Sequence, residues 1–284
     1  GVWLKLNCRA KGLAKGTLSA AFCSINCNSC APQRVKENKR ENKVKSFFIL
    51  FSYFFMIIMN KAARLIKLPK KGRVLIFTDL HGNLEDYGKY LEKWDSTDPD
   101  CHMIIAGDFI HSIYKNDCSV EVLDDIIDKY KRYDNFHPML GNHEWVHIVN
   151  VNVFKADINQ KLDFEEMIVS KKSSLEPYLS NYIEFFKSIP FFIQCENGVF
   201  VAHTGPSAKI KTYDDYRAII EGTEYLEEPI YYVLWSRPKK HYLPEDVSRF
   251  LDIVQSNVMV VRHTVVDGYP VFGREMILSS SFGS

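Results

Sequence analysis

Val74-Leu75-Ile76-Phe77-Thr78-Asp79-Leu80-His81-Gly82-Asn83 carries four apolar residues straight into an Asp-x-His turn. The apolar, β-branched run Val74–Phe77 reads as a strand. Asp79 and His81 therefore stand at its C-terminal end. The same arrangement recurs along the chain. Gly107-Asp108 follows Met103-Ile104-Ile105-Ala106, and Ala202-His203-Thr204-Gly205 ends the run Val199-Phe200-Val201-Ala202. Arg262-His263-Thr264 follows Val258-Met259-Val260-Val261, and Gly141-Asn142-His143-Glu144 follows the shorter Met139-Leu140. The C-terminal strand edge is where an α/β sheet opens into loops and binds ligands. Five polar motifs at five strand ends predict one converging site.

The residue types indicate its chemistry. Carboxylate, imidazole and an amide oxygen suit borderline divalent ions such as Mn, Fe or Zn, rather than a thiolate site or an all-oxygen Mg or Ca cage. Asp79, His81, Asp108, Asn142, His203 and His263 are candidate ligands. Six are too many for one tetrahedral zinc and suit two ions sharing a bridge. Two ions about 3.5–4 Å apart clamp the attacking and leaving oxygens of an in-line displacement.

The order Asp-x-His, Gly-Asp, Gly-Asn-His-Glu, His, His resembles the calcineurin-like metallophosphoesterase superfamily. Within it, three stretches resemble the phosphoprotein (Ser/Thr) phosphatase branch: Phe185 through Ser207, Leu234-Trp235-Ser236, and His263-Thr264-Val265-Val266-Asp267-Gly268-Tyr269. The resemblance runs from about residue 72 to the C-terminus. It implies an α/β fold, a sandwich of two mixed β-sheets flanked by helices, with a dinuclear metal site at the strand C-terminal edge. It implies that Asp79 and His81 hold the first metal, that Asp108 bridges both, and that Asn142, His203 and His263 hold the second. His143 is then the general acid for the leaving oxygen, and a metal-bridging hydroxide attacks phosphorus in line. Asn142 also stands among the candidate phosphate contacts.

Three positions depart from the branch. Where it has Tyr-Val-Asp-Arg-Gly after the bridging Asp, this chain has Phe109-Ile110-His111-Ser112. The Asp of that stretch orients the general-acid His in the family, and the Arg grips phosphate. A His at 111 still hydrogen-bonds an imidazole but does not raise its pKa as a carboxylate does. Arg237 follows Leu-Trp-Ser where Asp is usual, and Arg262 precedes the last ligand where Gly or Ala is usual. Either arginine is expected to supply the missing bidentate phosphate contact, the alternative being an ordinary surface residue.

The 284 residues are 46% apolar, enough for a sizeable core. Residues 1–59 carry ten Lys/Arg and two Asp/Glu, a balance of +8, and the remainder carries 26 and 33, a balance of −7. That negative balance excludes the basic footprint of a nucleic-acid binder. Residues 1–59 read as an atypical N-terminal extension and residues 60–284 as the catalytic domain. The extension holds Cys23, Cys27 and Cys30, whose spacing resembles an iron–sulfur motif of radical enzymes but lacks the barrel that houses it. Phe47–Met59 is nearly all apolar yet shorter than the ~20 residues that span a bilayer. It is either a membrane-surface anchor or part of an upstream translation artefact ending near Met59. The second is favoured, with a cytoplasmic protein as the result.

Leu84, Tyr87, Leu91 and Trp94 predict a helix after the first motif, and Val122, Ile126, Ile127 and Tyr130 a second. Residues 162–188 read as one helix, and residues 212–232 as an acidic, solvated rim. The expected activity is phosphomonoester hydrolysis with two divalent ions, Mn foremost, on a phosphoprotein or small phosphoester. The alternatives are a symmetrical dinucleoside tetraphosphatase and an inactive scaffold. Nothing in the sequence specifies an oligomeric state.

Overall fold

The computed structural model describes residues 2–5, 63–112, 116–155, 157–264, 266 and 270–278. The readings made on Cys23, Cys27, Cys30, Phe47–Met59, Val265 and Asp267-Gly268-Tyr269 lie outside the described residues. The chain divides into two units, Gly1–Cys8 with Lys61–Ser284, and Arg9–Asn60. Everything described belongs to the first.

Period-2 geometry explains the two layers. The first sheet has the order β1-β3-β4-β5, from β1 (Val2–Lys5), β3 (Arg73–Phe77), β4 (Cys101–Ile105) and β5 (Phe136–Pro138). β3, β4 and β5 run parallel, and β1 pairs antiparallel with β3 from Val2↔Ile76 to Lys5↔Arg73. The second has the order β11-β12-β10-β9-β8-β2, with β2 at Leu65–Leu68, β8 at Phe192–Cys195, β9 at Val199–Ala202, β10 at Val258–Val261, β11 at Val271–Phe272 and β12 at Glu275–Ile277. A two-stranded ribbon, β6 (Phe154–Lys155) with β7 (Ile158–Asn159), stands apart.

Val74, Ile76, Ile104, Ala106, Ile193, Val201 and Val260 meet in the layer between the two sheets. Their strand neighbours Leu75, Phe77, Met103, Ile105, Phe192, Phe200 and Met259 point the other way, into the larger cluster with the helices. Successive side chains alternate faces, so a strand buried on both faces needs an unbroken apolar run. Such runs precede four of the five polar motifs.

Helices α1 (Leu84–Lys93) and α2 (Ser119–Arg132) follow β3 and β4 as expected. Asn83 caps α1 by accepting from the Asp86 N–H at 3.0 Å. Tyr87 and Trp94 are buried, but Leu84 is exposed, so the apolar stripe is narrower than its spacing implies. The strand read at Met139-Leu140 is displaced. β5 ends at Pro138, and Leu140 N–H instead crosses to Pro190 O at 2.9 Å. The expected single helix over 162–188 is two, α4 (Gln160–Lys172) and α5 (Tyr178–Ser188). Ser173 turns left-handed (φ 64°), and Pro177 cannot donate a helical hydrogen bond and disfavours helix at its predecessor.

Residues 212–232 are not merely a solvated rim. α6 (Tyr213–Glu221) buries Tyr216 and Ile219, and α7 (Glu228–Trp235) buries Ile230, Val233 and Leu234. α3 (Asn142–Ile148) and α8 (Pro244–Ile253) complete the set. No helix among the described residues is long and apolar enough to cross a membrane.

Candidate metal centre

The polar motifs leave their strands through strained backbone. Asp79, His81, Asp108 and His263 have φ of 52°, 46°, 55° and 65°. Non-glycine residues seldom adopt this left-handed region, and it costs roughly 1–2 kcal/mol each. Such strain persists only where surrounding structure enforces it, and it clusters at functional sites. Here the loops after β3 and β4 enforce it on each other. Asp79 N–H donates to Gly107 O at 3.1 Å, His81 N–H to Asp108 O at 3.0 Å and Gly82 N–H to Phe109 O at 3.0 Å. Gly107 (φ 92°) lies against Gly141 so closely that a Cβ there would be 2.6 Å from Gly141 Cα.

Each imidazole is aimed by its second nitrogen. His81 Nδ1 lies 3.1 Å from Ile110 O, and His203 Nδ1 lies 2.7 Å from Ala106 O. A carbonyl only accepts, so Nδ1 carries the proton in both rings and Nε2 faces the site. His203 Nε2 is 2.9 Å from Asn142 Oδ1 and 3.4 Å from Asp108 Oδ2. Burial opposes a charge on His203, but Asp108 outweighs it and pushes its pKa up to about 9. His263 differs. Burial, helped by His203, pushes its pKa down to about 2, and its Nε2 is buried with no hydrogen-bond partner among the described residues.

An unpartnered imidazole lone pair beside the Asp108 carboxylate fits a divalent cation. So does the clustering. Asp108, His203 and His263 bring one ligand atom each within 4.8 Å of one another, and so do His81, Asp108 and His143. Asp108 belongs to both sets, the place the sequence reading gives the bridging residue.

Asp79 lies in neither set. Its Oδ1 accepts from Thr78 Oγ1 at 2.8 Å, and its Oδ2 pairs with Arg262 Nε at 2.7 Å. Arg262 is not the surface residue of the alternative reading. It is fully buried, and its Nη1 donates to the carbonyls of Thr264 and Leu278 at 3.1 Å each. A guanidinium enclosed behind Asp79 is directed at that carboxylate. Arg237 is exposed, with Nη1 3.5 Å from His263 O, beside the last candidate ligand.

The clamp at Glu144 and the place of His147 escaped the sequence reading, whereas a hydrogen bond from His111 to the His143 imidazole was expected. Glu144 accepts from the N–H groups of Asp108, Gly141 and Phe109, each at 3.0 Å, and so clamps the Asp108 loop to α3. Its place three residues after a helix-opening glycine is the capping-box position, which is a legible signal. His111 and His147 join His143 through their rings, at 2.9 and 2.8 Å along the chain. His143 and His147 are spaced i, i+4 on α3, which puts them on one helix face.

A family model of the calcineurin-like phosphoesterases matches residues 72–270. The chain belongs to this family. It is accordingly a metal-dependent phosphoester hydrolase. Among solved structures it is similar to a protein serine/threonine phosphatase from Saccharomyces cerevisiae with similarity to human phosphatase PP5. That pair shares 20% identity and a TM-score of 0.60, over 84% of this chain and 81% of that one. It is also similar to the cold-active protein-tyrosine phosphatase of the psychrophile Shewanella sp., at 18% identity and a TM-score of 0.52, over 77% of this chain and 75% of that one. At such identities the likeness shows the fold alone. No curated protein matches the chain. As the resemblance implies, the metallophosphoesterase fold here is a pair of mixed sheets flanked by helices, with the Asp and His cluster at the strand C-terminal edge.

Proposed function

We propose that this phosphoesterase hydrolyses phosphomonoesters in the manner of a Ser/Thr phosphoprotein phosphatase, with two divalent ions, Mn foremost and Fe or Zn next. The observation that carries this reading is Asp108, a buried carboxylate shared by two ligand sets. In this reading Asp79, His81 and Asp108 hold one ion, and Asp108, Asn142, His203 and His263 hold the other. Two such ions supply the Lewis-acid charge that activates water and neutralises phosphate. The protein's own part is to orient the ester and supply a proton. His143 has one ring nitrogen engaged by His111, which leaves Nε2 for the leaving oxygen. Arg237 borders the last ligand and suits a bidentate phosphate contact.

The test separates chemistry from metal retention. His143→Ala should lose on the order of 10²–10⁴-fold in kcat on alkyl phosphates and phosphopeptides. It should lose much less on nitrophenyl phosphate, whose leaving group scarcely needs a proton. Equal losses on both, or metal missing from the variant after Mn reconstitution, would remove His143 from the acid role. Wild-type protein that retains no metal would remove the whole reading.

One observation favours a second reading. Tyr231 and Trp235 stack at 5.9 Å with their planes 14° apart, and Trp235 meets the His263 ring edge-on at 5.9 Å. An aromatic face beside the metal centre suits a nucleobase, as a dinucleoside tetraphosphatase requires. Tyr231→Ala should then raise KM for diadenosine tetraphosphate and leave KM for phosphopeptides unchanged.

A further inference from the structure

His143, His111 and His147 form one hydrogen-bonded file of imidazoles running away from the metal centre. His143 Nδ1 lies 2.9 Å from His111 Nδ1, and His111 Nε2 lies 2.8 Å from His147 Nε2. All three residues are buried. Phe164 packs edge-on against His111 at 5.7 Å and His147 at 5.1 Å. His111 is the fifth non-glycine residue of the site region held at positive φ, at 68°. Its N–H is fixed by Ser119 Oγ at 3.0 Å, and Ser119 is fixed in turn by Asp117. A histidine held in left-handed backbone by its own anchor is placed for its ring.

The protons of this file can be counted. Each hydrogen bond needs one donor and one acceptor, and a neutral imidazole has one of each. The count starts at the closed end. His147 Nδ1 is buried and has no hydrogen-bond partner among the described residues. An orphaned N–H is the rarer and costlier buried group. The His147 proton therefore belongs on Nε2, where it donates to His111 Nε2. His111 must then carry its proton on Nδ1 and donate to His143 Nδ1. That nitrogen accepts, which leaves the His143 proton on Nε2.

We propose that His111 and His147 are positioning residues that set the tautomer of His143, so that the neutral ring presents Nε2–H toward the metal centre. Burial keeps His147 neutral, with its pKa near 3, which maintains the count. The order is the reverse of what a carboxylate at 111 imposes. A carboxylate accepts from Nδ1–H and leaves the neutral ring bare at Nε2, so that it must first become a cation to donate. Here the ring is a donor without a second proton. The functional role rests on the proposed reading of His143 as proton donor; the order of protons does not.

Two-bond 1H–15N correlation spectra of the 15N-labelled full chain, loaded with diamagnetic zinc, read the tautomers directly. His143→Gln assigns the ring signals. His143 Nδ1 is expected at the shift of a bare, pyridine-type nitrogen, and Nε2 at that of a protonated one. A protonated Nδ1 in the wild type overturns the proposal. His111→Asp should exchange the two signals, and no exchange overturns it as well. His147→Phe removes the terminal donor and should turn the His143 signals into a tautomer mixture. An unchanged pattern there shows that the file does not set the tautomer. A chain with the expected proton order that hydrolyses no phosphoester would leave this proposal standing and remove the proposed function instead.

Discussion

At the scale of single residues, Glu144 does as much as any ligand. Its oxygens accept three backbone N–H groups, and all three lie in the loops that carry Asp108 and Asn142. Burial and the Asp108 charge push its pKa up to about 8, while the backbone donors favour the charged form. Glu144→Gln keeps the shape but turns one acceptor into an NH2 group facing an N–H. That leaves a buried donor unsatisfied, at a cost of about 1–3 kcal/mol. Urea unfolding of the metal-free variant should show a lower midpoint, and the variant should retain less Mn on dialysis. An unchanged midpoint and metal content would mean that the clamp is redundant. Glu144 was visible in the sequence as a motif member, though its job was not. The metal-ligand candidates were legible because each closes an apolar run or opens a motif. The pairings of Arg262 and His147 were not. Their partners Asp79 and His111 lie 183 and 36 residues away in sequence, and no local pattern records such a meeting.

Elements place the site by approaching one another closely. The loop after β4 and the start of α3 meet at Gly107 and Gly141, where there is no room for a side chain. A Cβ on Gly141 would lie 2.3 Å from Asp108 Oδ1 and 2.5 Å from Asp108 N. Gly141→Ala should therefore displace the Asp108 carboxylate, destabilising the fold by on the order of 1–3 kcal/mol and lowering metal content. Gly88 is the matched control. It sits inside α1, and a Cβ added there would meet nothing within 4 Å. Gly88→Ala should stabilise by about 0.5–1 kcal/mol, since alanine is the better helix former. Thermal denaturation of the two variants checks both signs. The same contrast explains what was legible at this scale. Strands buried on both faces announce themselves as apolar runs, so four were placed closely. The short third run was misplaced because β5 ends at a proline and its continuation turns toward Pro190. Helix α6 was misread because its four charged residues outnumber the two, Tyr216 and Ile219, that it buries, and α7 because the acidic residues leading into it, Glu224, Glu227 and Glu228, masked its own apolar run from Ile230.

For the whole molecule, metal binding and proton binding are one equilibrium. In the metal-free fold His203 carries a proton that Asp108 stabilises, since its pKa is raised from 6.5 to about 9. The raised value means that the folded state binds this proton more tightly than the unfolded chain. The stability it adds is fully present below about pH 6.5 and is lost as pH rises through about 9. In the proposed site a cation takes the same Nε2 lone pair and must expel that proton. His263 has none to expel, because burial already keeps it neutral. Two opposite trends follow between pH 6.5 and 9. The midpoint of thermal unfolding in chelator should fall, while the apparent affinity for zinc or Mn should rise. Calorimetric titration in two buffers of different ionisation enthalpy counts the protons released. At pH 7, His203→Gln should release about one fewer than the wild type. An equal count in both proteins would show that His203 is already neutral before the metal arrives, and that Asp108 holds its charge without it.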